Sequence, residues 1–162
     1  IRFGQLNDSS LHAKLLCKSH LYIVASPEYL ENYGYPKRPS DILKHAQIGF
    51  SKVDHLNTWP IRVNGEQLTV QPKIKASNGE TVRQMALDGL GITCLSAFLV
   101  QQDLQQNRLV ALFEDQIEQY EQSIHAVYYQ QEHLPKRVRL FIEFLVQKLS
   151  IYPSFSVVAA VN

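Results

Sequence analysis

Apolar and polar positions change over along this chain in short blocks, strand-length runs alternating with helix-length ones. Residues 1–4 read as a short strand and residues 5–10 as a polar loop. Residues 20–25 (His-Leu-Tyr-Ile-Val-Ala) are a near-continuous apolar run, the pattern of a strand buried on both faces. Ser26 then stands as a helix cap, with Pro27 at the first helical position and Gly34 after the last turn. Proline has no N–H to leave unsatisfied there, and glycine accepts the backbone that ends a helix. Pro39-Ser40-Asp41 opens a short helical turn through Lys44, and 47–50 is a further strand. Ile61 and Val63 alternate with polar residues up to Asn64-Gly65, after which Leu68 and Val70 resume the alternation. Asn-Gly supplies the positive φ angles of a two-residue type I′ turn, so the spacing predicts a hairpin.

Beyond a strand at 73–76, Ser77-Asn78-Gly79-Glu80 has capping-box spacing, with Ser77 at the cap and Glu80 three residues on. Val82, Met85 and Ala86 follow at helical spacing, and Gly89 and Gly91 close that helix ahead of a strand at 92–95. Ser96 caps another helix bearing Phe98, Leu99 and Leu104. Strands are predicted at 109–113 and 123–129. Leu134-Pro135 opens a long helix whose Val138, Phe141, Ile142, Leu145 and Leu149 mark one apolar face. Strands alternating with helices predict an α/β fold with a mostly parallel sheet.

A chain of 162 residues fits one domain or two small lobes, and can bury roughly 68–70% of its unfolded surface. With 45% hydrophobic and 19% charged residues it is globular rather than disordered. Lys+Arg 16 against Asp+Glu 15 leaves a net charge of +1, which argues against a nucleic-acid module with its clustered basic face. Cys17 and Cys94 lie far apart in apolar runs and read as buried small hydrophobes in a reducing compartment. No apolar stretch reaches the ~20 residues of a membrane helix and no secretory signal is present, so no membrane partner and a cytoplasmic location are expected. The opening on Ile1 reads as a piece of a longer protein.

No catalytic set emerges. There is no Gly-x-Ser-x-Gly elbow, His-Glu-x-x-His pair, P-loop or Gly-x-Gly-x-x-Gly run. Gly89-Leu90-Gly91 ends a helix where a dinucleotide site must begin one, and the six histidines form no i, i+4 pair for a metal. Asp8-Ser9-Ser10 with His12 reads as a solvated turn. The expectation is therefore no enzyme, no metal and no cofactor. What remains are loops with small polar residues at 5–7, 50–51, 77–79 and 95–96. In an open α/β sheet, ligands bind outside the carboxyl ends of strands, where helix N-termini favour an anionic group. The caps at Ser77 and Ser96 are the leading candidates, although each also stabilises its own helix by ~1 kcal/mol with no ligand present.

Several runs, taken in order, resemble the effector-binding domain of LysR-type transcriptional regulators. They are Ile1-Arg2-Phe3-Gly4, Ser9-Ser10-Leu11-x-Ala13-x-Leu15-Leu16, and Leu21-Tyr22-Ile23-Val24-Ala25-Ser26-Pro27-x-Tyr29-Leu30. Ser77-Asn78-Gly79-Glu80, Ala86-x-x-Gly89-Leu90-Gly91-Ile92, Phe98-Leu99-Val100, Arg108-Leu109-Val110 and His125-Ala126-Val127-Tyr128 follow. Pro135-x-x-Val138-Arg139-x-Phe141-Ile142-x-Phe144-Leu145 completes the set. They extend over about nine-tenths of the chain, to Leu149. Ser-Ser-Leu-x-Ala and the lone Trp59 look most like the branch related to a neisserial adhesion regulator.

The resemblance implies a periplasmic-binding-protein type II-like fold of two lobes, with a small-molecule effector held between them; the helix termini favour an anionic one. It places residues 1–25 and 123–149 in a first lobe that is incomplete at its start, 26–122 in the second lobe, and 150–162 in a tail without counterpart. The family's DNA-binding helix-turn-helix has no match here, so DNA contact is implied only through that absent N-terminal domain. Carried over, the cleft walls are Gln5, Leu6, Asn7, Phe50 and Ser51, with Ser77, Asn78, Gly79, Leu95 and Ser96 on the second lobe. The implied role is a ligand sensor in a homo-oligomeric regulator. The alternatives are a transporter's solute-binding protein, which shares the fold, and a fragment that only oligomerises. An incomplete first lobe also predicts self-association, or a tail after Ser150 folded back over the exposed edge.

Overall fold

The longest strand, β2, carries fifteen residues from Leu11 to Ala25, so it contains the predicted apolar run 20–25 and extends nine residues ahead of it. In this computed structural model the described residues are 1–3, 11–117, 121–129 and 135–156. The expected loop 5–10, Leu134 and the tail beyond Ser156 lie outside them. The strands in chain order are β1 (Arg2–Phe3), β2, β3 (Ile48–Phe50), β4 (Thr58–Val63), β5 (Glu66–Thr69), β6 (Ile74–Ala76), β7 (Thr93–Ser96), β8 (Val110–Leu112) and β9 (Glu121–Tyr129). The α-helices are α1 (Pro27–Tyr33), α2 (Gly79–Leu87), α3 (Ala97–Gln105) and α4 (Lys136–Leu149). Two 3₁₀ turns, Pro39–Lys44 and Asp54–Asn57, complete the set.

The chain divides into two compact units, one of Ile1–His20 with Glu121–Asn162 and the other of Leu21–Tyr120, so the division falls within β2. In the first unit, β2 pairs antiparallel with β9 from Leu11↔Tyr129 to His20↔Glu121, with a bulge between Leu15 and Cys17, and β9 pairs antiparallel with β1. Leu16, Cys17, Ile124 and Ile142 are its buried apolar residues. The chain after α4 does fold back: Ser156 and Lys18 exchange two backbone hydrogen bonds of 2.8 Å, and the Ser19 hydroxyl donates to the Ser154 carbonyl at 3.2 Å.

In the second unit, β2 pairs antiparallel with β7 (Ile23↔Cys94) and with β8 (Val24↔Ala111). Successive residues of these strands feed two different cores. Ile23, Ala25 and Cys94 join Tyr29, Leu30, Ile42, Trp59, Ile61 and Val70. Val24 and Leu95 join Ile48, Val82, Ala86, Val100 and Leu109. Burial on both faces is complete at Ile23–Ala25 and partial at Leu21 and Tyr22, which is why 21–25 shows no polar alternation, while His20 at the head of the predicted run is exposed. The hairpin β4–β5 turns at Asn64 (φ 54°) and Gly65 (φ 87°), as the Asn-Gly pair predicts. Helix α1 is capped by the Ser26 hydroxyl, which accepts from the Tyr29 N–H at 3.2 Å, and Gly34 closes it with its N–H on the Leu30 carbonyl.

Three expectations need correction. Among the described strands only β3–β6, and the bridge that joins β3 to β7, are parallel; β1–β9, β2–β7, β2–β8, β2–β9 and β4–β5 are antiparallel. Alternation of strands and helices does not set strand direction, because a long connection can return a strand to the sheet in either sense. The cap of α2 is Asn78, not Ser77: its Oδ1 accepts from the Thr81 N–H at 2.9 Å. Both residue types cap helices, and the helix simply begins one residue later, at Gly79. On α4, Ile142 is buried and Val138, Leu145 and Leu149 are half-buried, but Phe141 is 59% exposed. Val146 occupies the inner face instead, lying four residues from Ile142.

Candidate functional site

Three strands of the second unit end at one edge. β3 and β6 run parallel in the register Phe50↔Ala76, and the Ser51 N–H donates to the Ala76 carbonyl at 3.0 Å. This hydrogen bond sets Ser51 beside the point where the chain turns into Ser77. β7 runs parallel to β3 through the Gln47↔Ile92 bridge. The Ile48 N–H donates to the Ile92 carbonyl at 2.9 Å, and the Thr93 hydroxyl to the Ile48 carbonyl at 3.0 Å. The carboxyl ends of β3, β6 and β7 therefore open in one direction, and α2 and α3 begin there.

Past Ile48 the two strands part. Both polar backbone groups of Phe50, which point to the side β7 has left, are taken by Asn57, whose amide accepts from the Phe50 N–H at 2.8 Å and donates to its carbonyl at 3.0 Å. Asn57 is buried, and it closes the strand end with a side chain in place of a neighbouring strand. Gly49 is required beside it, since a Cβ there would sit 2.4 Å from Asn57 Oδ1 and 2.5 Å from Pro72 Cγ.

Of the residues predicted for the site, Phe50, Ser51, Ser77, Asn78, Gly79, Leu95 and Ser96 are described, and all lie at or next to these three strand ends. Gln5, Leu6 and Asn7 fall outside the described residues. Ser51, Ser77 and Asn78 are exposed and Phe50 is half-buried. Leu95 is 2% exposed and its side chain belongs to the core, so only its backbone can face a ligand. Ser96 is the N-cap residue of α3 by its extended backbone (φ −69°, ψ 146°), although its hydroxyl makes no capping bond to that helix. The first-turn N–H groups of α2 and α3 have no intrahelical acceptor, which gives each helix start a partial positive charge. The arrangement can hydrogen-bond a small polar or anionic molecule. Among the described residues there is no group of three or more His, Cys, Asp and Glu side chains able to hold a metal.

Sequence reasoning missed the ionic cluster behind the site. Asp103 of α3 is completely buried and receives Arg83 of α2 as a fork, Nε to Oδ2 at 2.5 Å and Nη2 to Oδ1 at 2.8 Å. Arg108 adds a 2.6 Å contact to Oδ1, and Glu80 meets Arg83 at 2.6 Å. Asp103, and next to it Glu80, hold the Arg83 guanidinium above its already high range. The one signal in the sequence was an acidic residue on an otherwise apolar and glutamine-rich helix.

The fold that carries this edge belongs to a known class. The chain belongs to the LysR substrate-binding domain family, whose model matches residues 1–150, and the curated relatives it matches are transcriptional regulators, not enzymes. It is 37% identical over 150 residues to the transcriptional regulator CrgA of Neisseria meningitidis, covering 92% of this chain and 50% of that protein. It is 34% identical over 156 residues to PtxR of Pseudomonas aeruginosa, covering 94% of this chain and 49% of the relative. Among solved structures it matches the regulatory domain of CrgA with a TM-score of 0.81 over 90% of this chain and 72% of that one. Full-length AphB of Vibrio cholerae matches with a TM-score of 0.72 at 28% identity, over 90% of this chain and 50% of AphB. The chain spans about half the length of the curated relatives it matches.

Proposed function

We propose that this chain senses a small molecule for a LysR-type transcriptional regulator, and that the molecule is held at the edge formed by Phe50–Ser51, Ser77–Gly79 and Ser96. The observation that carries this reading is the convergence of three parallel strand ends with the starts of α2 and α3, in a chain of this family. A ligand with an anionic group fits best, because the helix starts and the hydroxyls of Ser51 and Ser77 all offer hydrogen-bond donors. The two units correspond to the family's two lobes, with Leu21–Tyr120 as the second. In the whole regulator, located in the cytoplasm, binding would bias the packing of a homo-oligomer and so its grip on DNA through a separate domain. Such a switch needs unequal affinity for two arrangements, not binding alone.

A thermal-shift screen of small carboxylates and phosphates tests it. A ligand at a hundred times its Kd stabilises the folded state by about 2.7 kcal/mol, enough to raise Tm by several degrees. Ser77→Asp, which sets a carboxylate at the same edge, is expected to abolish the shift. No stabilising compound, or a shift that survives Ser77→Asp, contradicts the reading.

A further inference from the structure

We infer that Asp103 is a positioning residue for this edge, holding the start of α2 against α3 at the separation the ligand requires; this rests on the binding edge proposed above. Besides the apolar packing of Val82, Ala86 and Val100, two contacts between the helices bear on the edge. At the edge, Gly79 lies so close to α3 that a Cβ on it would come 2.7 Å from Leu99 Cδ1. One turn further along each helix, at Arg83 and Asp103, the guanidinium fork locks onto the carboxylate. A fork of two parallel hydrogen bonds fixes angle as well as distance, which a point charge or an apolar contact does not.

Asp103 is anchored in turn. Its carbonyl accepts the N–H groups of Arg108 (2.8 Å) and Leu109 (3.3 Å), which tie the end of α3 to the entry of β8. Arg108 Nη2 also meets Oδ1, at 2.6 Å. Arg83 is held from the other side by Glu80, which belongs to the first turn of α2, the turn whose N–H groups face the edge. The ionic chain from Glu80 through Arg83 to Asp103 therefore transmits the seating of α3 to the first turn of α2. None of its members needs to touch the ligand.

The test uses the full chain and a readout of seating that needs no ligand. In the wild type, the close approach predicts a nuclear Overhauser cross-peak between the Gly79 Hα protons and a Leu99 methyl. The double variant Arg83→Met/Asp103→Leu removes both charges while keeping apolar volume, a replacement that need not cost stability. It is expected to fold, to lose that cross-peak, and to lose the amide shifts that inorganic phosphate produces at 78–81 in the wild type. Arg83→Lys keeps the charge without the fork and carries the test should the double variant not fold; it too is expected to weaken the cross-peak. A folded variant with the cross-peak at full strength overturns the positioning role. A wild type whose 78–81 amides ignore phosphate counts against the binding edge instead, and the cross-peak still decides the role of Asp103.

Discussion

Asn57 acts as a one-residue strand for Phe50, giving its N–H an acceptor at 2.8 Å and its carbonyl a donor at 3.0 Å where β7 has moved away. Removing that amide leaves two strand-end groups without partners inside the fold. Asn57→Ala is therefore expected to cost about 3 kcal/mol, since an unsatisfied buried group costs ~1–3 kcal/mol. Urea denaturation should show a lower midpoint at unchanged m. A midpoint equal to that of the wild type would mean that water replaces the amide at no cost.

Two glycines at close approaches should respond differently to a methyl group. At Gly91 a Cβ would meet the Ala46 backbone, 2.4 Å from its oxygen and 3.0 Å from its carbonyl carbon, and the Ile92 N–H already bonds that carbonyl at 2.9 Å. Backbone held in this way cannot step aside, so Gly91→Ala should destabilise by about 3 kcal/mol. At Gly79 the obstacle is the end of a flexible leucine side chain, and alanine, which restricts the unfolded chain more than glycine does, gains ~0.4–1 kcal/mol in return. Gly79→Ala should stay close to wild-type stability in the same denaturation series. The reverse order would refute this account of the two sites.

Stability should fall in acid in two separate windows. Tyr29 Oη accepts the Ala46 N–H at 3.0 Å and shares a hydrogen bond with His45 Nδ1, 3.2 Å away, which packs the imidazole against the phenol. Burial lowers the His45 pKa, against the opposing charge of Asp41. A group whose folded pKa lies below its unfolded value of ~6.5 contributes stability above that value and loses it as pH falls through the folded pKa. The Asp41 carboxyl, held down to about 2 chiefly by its hydrogen bond from Lys44, gives up its contribution lower still, between pH ~4 and 2. His45→Gln should flatten the upper window and leave the lower one. Urea midpoints measured from pH 8 to about 2 check this, and an unchanged upper window in the variant would exclude His45 as its source.

Neither thiol should react while the protein is folded. Burial raises the Cys17 pKa to about 11 and that of Cys94 further, so almost no thiolate exists at pH 8. Dithionitrobenzoate is expected to release colour only after denaturant is added. A prompt stoichiometric reaction in buffer would show that one of the two sites opens.

Much of this was legible in the residues because local rules agreed with tertiary demands. Ser26-Pro27 through Gly34, Asn64-Gly65 and Gly89 after α2 each combine a backbone need with the residue that meets it, whereas α2 starts one residue later than a cap at Ser77 implies. What escaped was set by partners distant in the chain. β2 begins at Leu11 because β9, more than a hundred residues away, supplies its hydrogen bonds, while His12, Ala13 and Lys14 carry no strand pattern of their own. Phe141 looked like a core residue by spacing, yet the helix turns Val146 inward beside Ile142. At the proposed site, small polar residues after strands are picked out by type alone, whereas Asn57 and Asp103 lie behind them and are visible only as buried polar groups with partners.

The central claim, a small-molecule site at the ends of β3, β6 and β7, is tested most directly by amide NMR on the labelled full chain while small carboxylates and phosphates are titrated in. The prediction is saturable shifts clustered at 50–51, 77–81 and 96–98, led by the first-turn amides of α2 and α3. Saturable shifts centred elsewhere, on α4 or on the β4–β5 hairpin, with these segments unmoved, would contradict it.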